Sequence, residues 1–275
     1  MNHFTARSAV AAAAAMAGRK GNTLAVILRR FIEFNQSVCA KIAEHLPQRR
    51  TDPYALYDQL AAEYMNAAQN QLVVDVGGGR TCAFTKYKDP EAHPRIVAVD
   101  VSADELAANR DADETRVMNA VDGLPFDDEE VDLVASKTLV EHLCDTREFI
   151  AHVRRVLKPG GHTIHMFPSR FALFALINRI LPAKLSTSIL FFLCPGAKRI
   201  SGFPAYYDKC YYSAFRSVLE ERGFEITESA VCYYQSAYFT FFIPLYLLTV
   251  GYELLLYCLD VKNLCGYVVV AARKQ

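Results

Sequence analysis

Val73-Val74-Asp75-Val76-Gly77-Gly78-Gly79-Arg80 is the stretch on which the fold turns: an apolar, β-branched run that passes directly into three glycines. A ligand approaches a backbone closely only where side chains are missing, and glycine also supplies the positive φ angles of a sharp turn. A nucleotide-type cofactor is the ligand class this suggests. The dinucleotide fingerprint GxGxxG needs a glycine at position 82, and Cys82 stands there. Asp75, two residues before the first glycine, would repel a pyrophosphate and suits a ligand carrying positive charge, such as an amino group or a sulfonium. Asp100 closes the next apolar strand 21 residues after Gly79, the spacing of a carboxylate that accepts hydrogen bonds from both hydroxyls of a ribose.

Outward from this point, strand and helix patterns alternate. Short apolar β-branched runs at 71–76, 95–101, 131–135 and 162–167 predict strands. Helical spacing at 103–110 and 146–157 falls between them, and Lys158-Pro159-Gly160-Gly161 reads as a helix stop and tight turn. A helix at 213–223 and strands at 224–233 and 264–272 follow. Such alternation implies a parallel sheet covered on both faces. Ahead of it, Val26, Ile27, Arg30, Phe31, Phe34, Val38 and Ile42 recur at three and four, predicting an amphipathic helix over 24–46 with a basic start, stopped by Pro47. Thr51-Asp52-Pro53 opens a second helix reaching about residue 69.

The chain has 275 residues, 30 Lys+Arg against 30 Asp+Glu, and 52% hydrophobic residues. The apolar fraction excludes general disorder, and the absence of net basic charge argues against a dedicated nucleic-acid partner. The neutrality is uneven: residues 1–32 and 168–207 each hold basic side chains and no acid. Eight scattered cysteines without a CxxC pair predict reduced thiols of an intracellular, cytoplasmic protein and no metal site. The alanine-rich 8–18 stretch reads as a loosely ordered extension rather than a leader, its apolar area being small.

Four blocks together carry a resemblance to a known family: VVDVGGGR at 73–80, VAVDVS at 97–102, DGLPFDDEEVDLVASKTLVEHL at 122–143 and FIAHVRRVLKPGGHTIHMFPS at 149–169. They resemble the class I S-adenosylmethionine-dependent methyltransferases of the methyltransferase type 11 domain family. The resemblance implies a Rossmann-like seven-stranded, mostly parallel sheet with the last strand antiparallel, S-adenosyl-L-methionine as cofactor, and binding at the carboxyl ends of the first strands. It places Asp75, Gly77 and Gly79 along the methionine and sugar portion, Asp100 on the ribose hydroxyls and Val101 on the adenine. Ser136 and Lys137 would then lie beside the transferring methyl. The family's acid for the adenine amino group falls at Ala120 here, leaving Asn119 or Asp122 to take that contact. His142, just past the fourth strand, is the candidate general base, with a packing role as its alternative. His152, His162 and His165 read as structural, and Tyr206, Tyr207, Tyr211 and Tyr212 read either as polar-group binders or as half-buried core.

The resemblance implies a methyltransferase domain over 51–275, carrying two apolar helical insertions at 168–212 and 235–261, after an extension with its amphipathic helix over 1–50. Within the second, 238–259 holds 22 residues and a single charge, Glu253. At ~1.5 Å per residue it would measure roughly 33 Å, the thickness of a bilayer core. Yet both flanking strands belong to one sheet, so the segment must return to the side it left, and Pro244 and Gly251 suggest a bent helix. An interfacial or lid position follows. The expectation is methyl transfer to a hydrophobic, lipid-linked or glycan-type acceptor with peripheral membrane contact. The competing readings are a small-metabolite methyltransferase with an apolar lid and a non-catalytic cofactor-binding module.

Overall fold

The computed structural model describes residues 23–180 and 203–275. The 8–18 stretch, the 189–193 run, Lys184, Lys198, Arg199 and Cys194 lie outside the described residues. In chain order the elements are α1 (Thr23–Ala43), α2 (Pro53–Met65), β1 (Leu72–Val76), β2 (Arg95–Asp100), α3 (Ala103–Ala107), β3 (Glu114–Val117), β4 (Val131–Lys137), α4 (Thr146–Val156), β5 (Leu157–Pro168), α5 (Leu173–Ile180), α6 (Tyr212–Glu221), β6 (Phe224–Cys232), α7 (Ile243–Cys258) and β7 (Tyr267–Lys274). They divide into two compact units. One contains 53–170, 204–231 and 267–275; the other contains the described parts of 1–52 and 171–203, together with 232–266.

The first unit holds a seven-stranded sheet in the order β3-β2-β1-β4-β5-β7-β6. β1 pairs in parallel with β2 and β4, β2 with β3, and β4 with β5, while β7 runs antiparallel to β5. The central strands are buried on both faces: Val73, Val74, Ile96, Val97, Leu133, Val134, Ile164 and Val270 are wholly enclosed. This explains their unbroken apolar runs. α4 buries Phe149, Ile150, Val153 and Val156 at helical spacing. Its N-cap Asp145 accepts from Glu148 N at 3.0 Å, as Ser102 accepts from Glu105 N at 3.2 Å before α3.

Two features of the sheet depart from the sequence reading. β3 carries no apolar run; its residues Glu114, Thr115, Arg116 and Val117 alternate between half-buried and exposed at the sheet edge. An edge strand buries too little to leave a periodic apolar signature. β5 starts at Leu157, so the 158–161 segment lies within the strand as an irregularity: Val131 pairs with Leu157, and Leu133 already pairs with His162. Gly160 takes φ +79°, and a Cβ on Gly161 would stand 3.1 Å from the Asp132 carbonyl.

The second unit is helical. Cys39 of α1 packs with Tyr246 and Val250 of α7, flanked by Ile42, Leu46, Ile243 and Leu254. Asn35 Oδ1 accepts from Ile243 N at 2.9 Å, and the Tyr246 hydroxyl donates to the Cys39 carbonyl at 3.2 Å. α7 is one continuous helix, not the bent one expected: Pro244 lies in its first turn, where no amide partner is needed, and Gly251 is accommodated without a break. The single charge of α7 is fully buried. Glu253 accepts from the amides of Gln235 and Ser236, from Ser236 Oγ at 3.0 Å and from Gln48 Nε2 at 3.3 Å. Among the described residues no helix is long and apolar enough to cross a membrane.

Candidate functional site

The glycine turn joins β1 to the segment leading toward β2, and the register explains its shape. Gly77 N and Gly78 N both donate to the Val99 carbonyl, at 2.7 and 3.2 Å, folding the turn back over β2. A Cβ on Gly78 would lie 2.9 Å from the Ala98 Cβ and 3.0 Å from the Asp75 carbonyl, so only glycine permits this approach. Gly77 and Gly79 have φ of +76° and +42°. Asn109 locks the turn from outside the motif: its Nδ2 donates to the carbonyls of Gly79 at 2.9 Å and Gly78 at 3.3 Å.

Asp100 faces this turn. Its Oδ2 accepts from Gly79 N at 3.1 Å and its Oδ1 from Ser102 N at 2.8 Å. Each oxygen keeps further acceptor capacity for a vicinal diol. A Cβ on Gly79 would stand 3.8 Å from Oδ2, so the missing side chain leaves the approach to that carboxylate open. Val101, next in sequence, is exposed, as an apolar surface offered to a flat ring would be.

Asp75 shares a sheet face with Ala98, Asp100 and Lys137, because side chains alternate along each strand and Asp75 is in register with Ala98 and Ala135. It is buried, and desolvation pushes its carboxyl up to about 7, with the Cys82 thiol and the Lys137 ammonium pulling it part of the way back. α2 closes this face. Asp58 bridges Lys137 Nζ at 3.3 Å and Lys86 Nζ at 3.2 Å. The Tyr57 ring lies under the Lys137 ammonium at 5.3 Å, and its fully buried hydroxyl has no hydrogen-bond partner. A buried donor of this kind costs about 1–3 kcal/mol unless a ligand satisfies it. An open carboxylate with spare acceptor capacity, a side-chain-free turn, a buried acid and an orphaned hydroxyl together fit a ligand with a ribose and a charged amino-acid tail.

Ser136 does not join this group. It is in register with Val76 and points to the opposite face, where it is fully buried and bonded to His165 Nδ1 at 2.7 Å. His165 Nε2 meets Thr163 Oγ1 at 2.8 Å, and that hydroxyl donates to the Val134 carbonyl. The ring sits edge-on to Phe149 and Phe215 of α4 and α6, and burial lowers its pKa to about 3. His165 is thus a neutral core residue, and Ser136 its partner. His162 stacks on Tyr64 at 4.4 Å, and His152 Nε2 meets the Val121 carbonyl, so the structural reading of all three histidines holds.

After β3, Ala120 is buried and Asn119 Nδ2 donates to Asp122 Oδ2 at 2.9 Å. Past β4, Val140–His142 forms a single 3-10 turn. His142 Nδ1 lies 2.9 Å from the Pro204 carbonyl, which can only accept, so Nδ1 carries the proton and Nε2 the lone pair of the neutral ring. Nε2 stands 4.0 Å from Glu141 Oε1. Glu141 is buried, its Oε2 has no partner, and desolvation raises its carboxyl to about 8. The backbone of Tyr206 and Tyr207 donates to the Glu141 carbonyl at 2.9 and 3.0 Å. Tyr206 is exposed, while Tyr212 is half-buried and accepts from Arg216 at 2.9 Å.

Tyr57, Asn109 and Glu141 were not legible from the sequence, since each sits inside an ordinary helix, loop or turn and is singled out only by tertiary proximity. Every described cysteine is a free thiol, and the described residues contain no cluster able to hold a metal.

Residues 74–165 match the family model described as a methyltransferase domain. An S-adenosylmethionine-dependent methyltransferase from Mesorhizobium loti is 15% identical, covering 78% of this chain and 96% of that one at a TM-score of 0.51. A geranyl diphosphate methyltransferase solved with S-adenosylmethionine is 12% identical, covering 80% and 85% at a TM-score of 0.50. At these identities the likeness is one of fold. An uncharacterized 37.1 kDa protein from a transposon of Streptomyces fradiae is 26% identical over 120 residues, 42% of this chain and 35% of its own, so the match spans about a third of that relative. The seven-stranded sheet order and the glycine turn with its two acids thus accompany a match to the methyltransferase domain over residues 74–165, about a third of the chain.

Proposed function

We propose that the protein transfers a methyl group from S-adenosylmethionine to a hydrophobic or lipid-linked acceptor presented at a membrane surface. The observation that carries the cofactor part is the Asp100 carboxylate, held against the glycine turn with its approach kept open by Gly79. When bound, the cofactor supplies an electrophilic methyl on a sulfonium. The protein's share is alignment and proton handling. Asp100 takes the ribose hydroxyls, Asp75 the positive charge, Val101 the adenine face, and Asp122, steadied by Asn119, the adenine amino group in place of the missing acid at Ala120. His142 Nε2 accepts the proton of a hydroxyl acceptor, with its ring fixed by the Pro204 carbonyl. The apolar character of α7 and of 171–180 supports an apolar acceptor.

Calorimetric titration of S-adenosylhomocysteine tests this reading: binding by the wild-type chain and its loss in Asp100→Ala are expected. Unchanged binding in the variant overturns the site assignment. An untargeted search for species gaining one methyl mass in the presence of the protein would then identify the acceptor.

A further inference from the structure

The helical unit presents two apolar stripes to solvent. In α1 the stripe is Ile27, Phe31, Phe34 and Val38, spaced by four, three and four so that at about 3.6 residues per turn they share one face. Ile27, Phe31 and Phe34 are 59%, 48% and 64% exposed, and Val26 and Leu28 beside them are also exposed. The face of α1 that does pack is a different one, made of Asn35, Cys39 and Ala43. α7 repeats the arrangement. Tyr246, Thr249, Val250, Glu253 and Leu256 are buried, while Leu247, Leu248, Leu255 and Leu259 are 48%, 73%, 57% and 65% exposed.

A helix apolar all round is ordinarily enclosed on every side, whereas a soluble surface helix carries polar residues outward. Here the outward positions include Phe31, Phe34, Leu247, Leu248 and Leu255. The charges beside them are selective. The only charge of α7 is buried, so its outer stripe carries none. In α1 the helical spacing puts Arg30 and Lys41 along the border of the exposed stripe. Glu33 lies farther around, and it is paired with Arg29 at 2.8 Å. Long basic side chains bordering an apolar stripe can hold their heads at a phosphate layer while the stem and neighbours enter the acyl region. Neither helix is both long and apolar enough to span.

We infer that these two stripes are the membrane-binding surface of the protein, taking an anionic phospholipid bilayer as partner, with Ile27, Phe31, Phe34, Leu248 and Leu255 entering the acyl boundary and Arg30 and Lys41 reaching the head groups. This deepens the membrane part of the function proposed above and rests on it alone; the cofactor site is tested separately.

The test is co-sedimentation of the full chain with vesicles of phosphatidylcholine, with and without phosphatidylserine. Binding to the anionic vesicles that weakens with salt is expected. Phe34→Ser should lower partition roughly tenfold, as should Leu248→Ser, by loss of one buried apolar side chain each. Arg30→Gln should lower it about fivefold on anionic vesicles only. S-adenosylhomocysteine affinity should stay at the wild-type value in all three variants, which shows that they fold and keeps failure of the cofactor reading distinct. Absence of the wild-type chain from the anionic pellet at low salt overturns the inference. So does equal sedimentation of wild type and stripe variants. A dimer detected by sedimentation velocity without vesicle binding, and lost in Phe34→Ser and Leu248→Ser, overturns it in favour of an interface between two copies.

Discussion

Asp75 shows how burial sets chemistry at a single residue. Its carboxyl, ordinarily ionised well below neutrality, holds its proton up to about 7 in the fold. A ligand ammonium or sulfonium beside it favours the carboxylate, so binding expels a proton. The affinity for S-adenosylhomocysteine should therefore rise as the pH is raised toward about 7 and flatten above it. Asp75→Asn should remove the slope, and methylthioadenosine, which lacks the amino-acid tail, should show little of it. Calorimetry in buffers of different ionisation enthalpy counts the proton released; a wild-type affinity that does not change with pH would place the ligand's charge elsewhere. Asn109 acts by position alone. Asn109→Ala leaves the carbonyls of Gly78 and Gly79 without their donor and should cost about 1–3 kcal/mol by urea unfolding, with weaker cofactor binding. The glycines and Asp100 were legible as residues because their chemistry needs those types at that spacing. Asn109 was not, because an asparagine 30 residues along the chain from Gly79 has no signature until the loop returns.

At the scale of elements, α7 offers two substitutions with opposite signs. Gly251 lies in a regular helical position with no positive φ, and a Cβ there meets nothing within 4 Å. Gly251→Ala should stabilise the protein by about 0.4–1 kcal/mol, seen as a higher urea midpoint, through lower entropy of the unfolded chain. Glu253→Ala does the reverse. It strands the amides of Gln235 and Ser236, the Ser236 hydroxyl and the Gln48 amide in a buried setting, and a loss of about 2–4 kcal/mol is expected in the same measurement. A value near zero would mean that water reaches the cluster. Periodicity identified α1 as an amphipathic helix, and the charge-poor run over 238–259 identified α7 as an apolar one. Neither pattern could say which apolar face is covered, since an exposed stripe and a buried one have the same spacing. In α1 the stripe that the periodicity picked out is the exposed one, while Asn35 and Cys39 carry the packing.

For the whole molecule, buried ionisable groups set the response to pH. Asp75 and Glu141 have folded values of about 7 and about 8, both raised above their unfolded values. An acid shifted upward binds its proton more tightly when folded, so the contribution of these two groups is greatest at low pH and falls as the pH rises through about 7 and 8. His165 has the opposite sign, because its neutral form is buried: its contribution is lost as the pH falls below its ordinary value toward about 3. Stability should therefore decline between pH 6.5 and 8.5, and Glu141→Gln should flatten the upper part of that decline, as followed by thermal unfolding. An unchanged slope in the variant would mean that Glu141 is hydrated. By itself, the sequence determined the alternation of strand and helix, the glycine turn and the match to a methyltransferase domain over 74–165, because each is a local pattern imposed by backbone geometry or ligand approach. The tertiary structure alone decided that Ser136 faces His165 in the core, that Tyr57 and Glu141 are buried with unmatched oxygens, and that Phe31, Phe34, Leu248 and Leu255 face outward. Burial and strand register depend on which distant segments meet, and no local pattern encodes that.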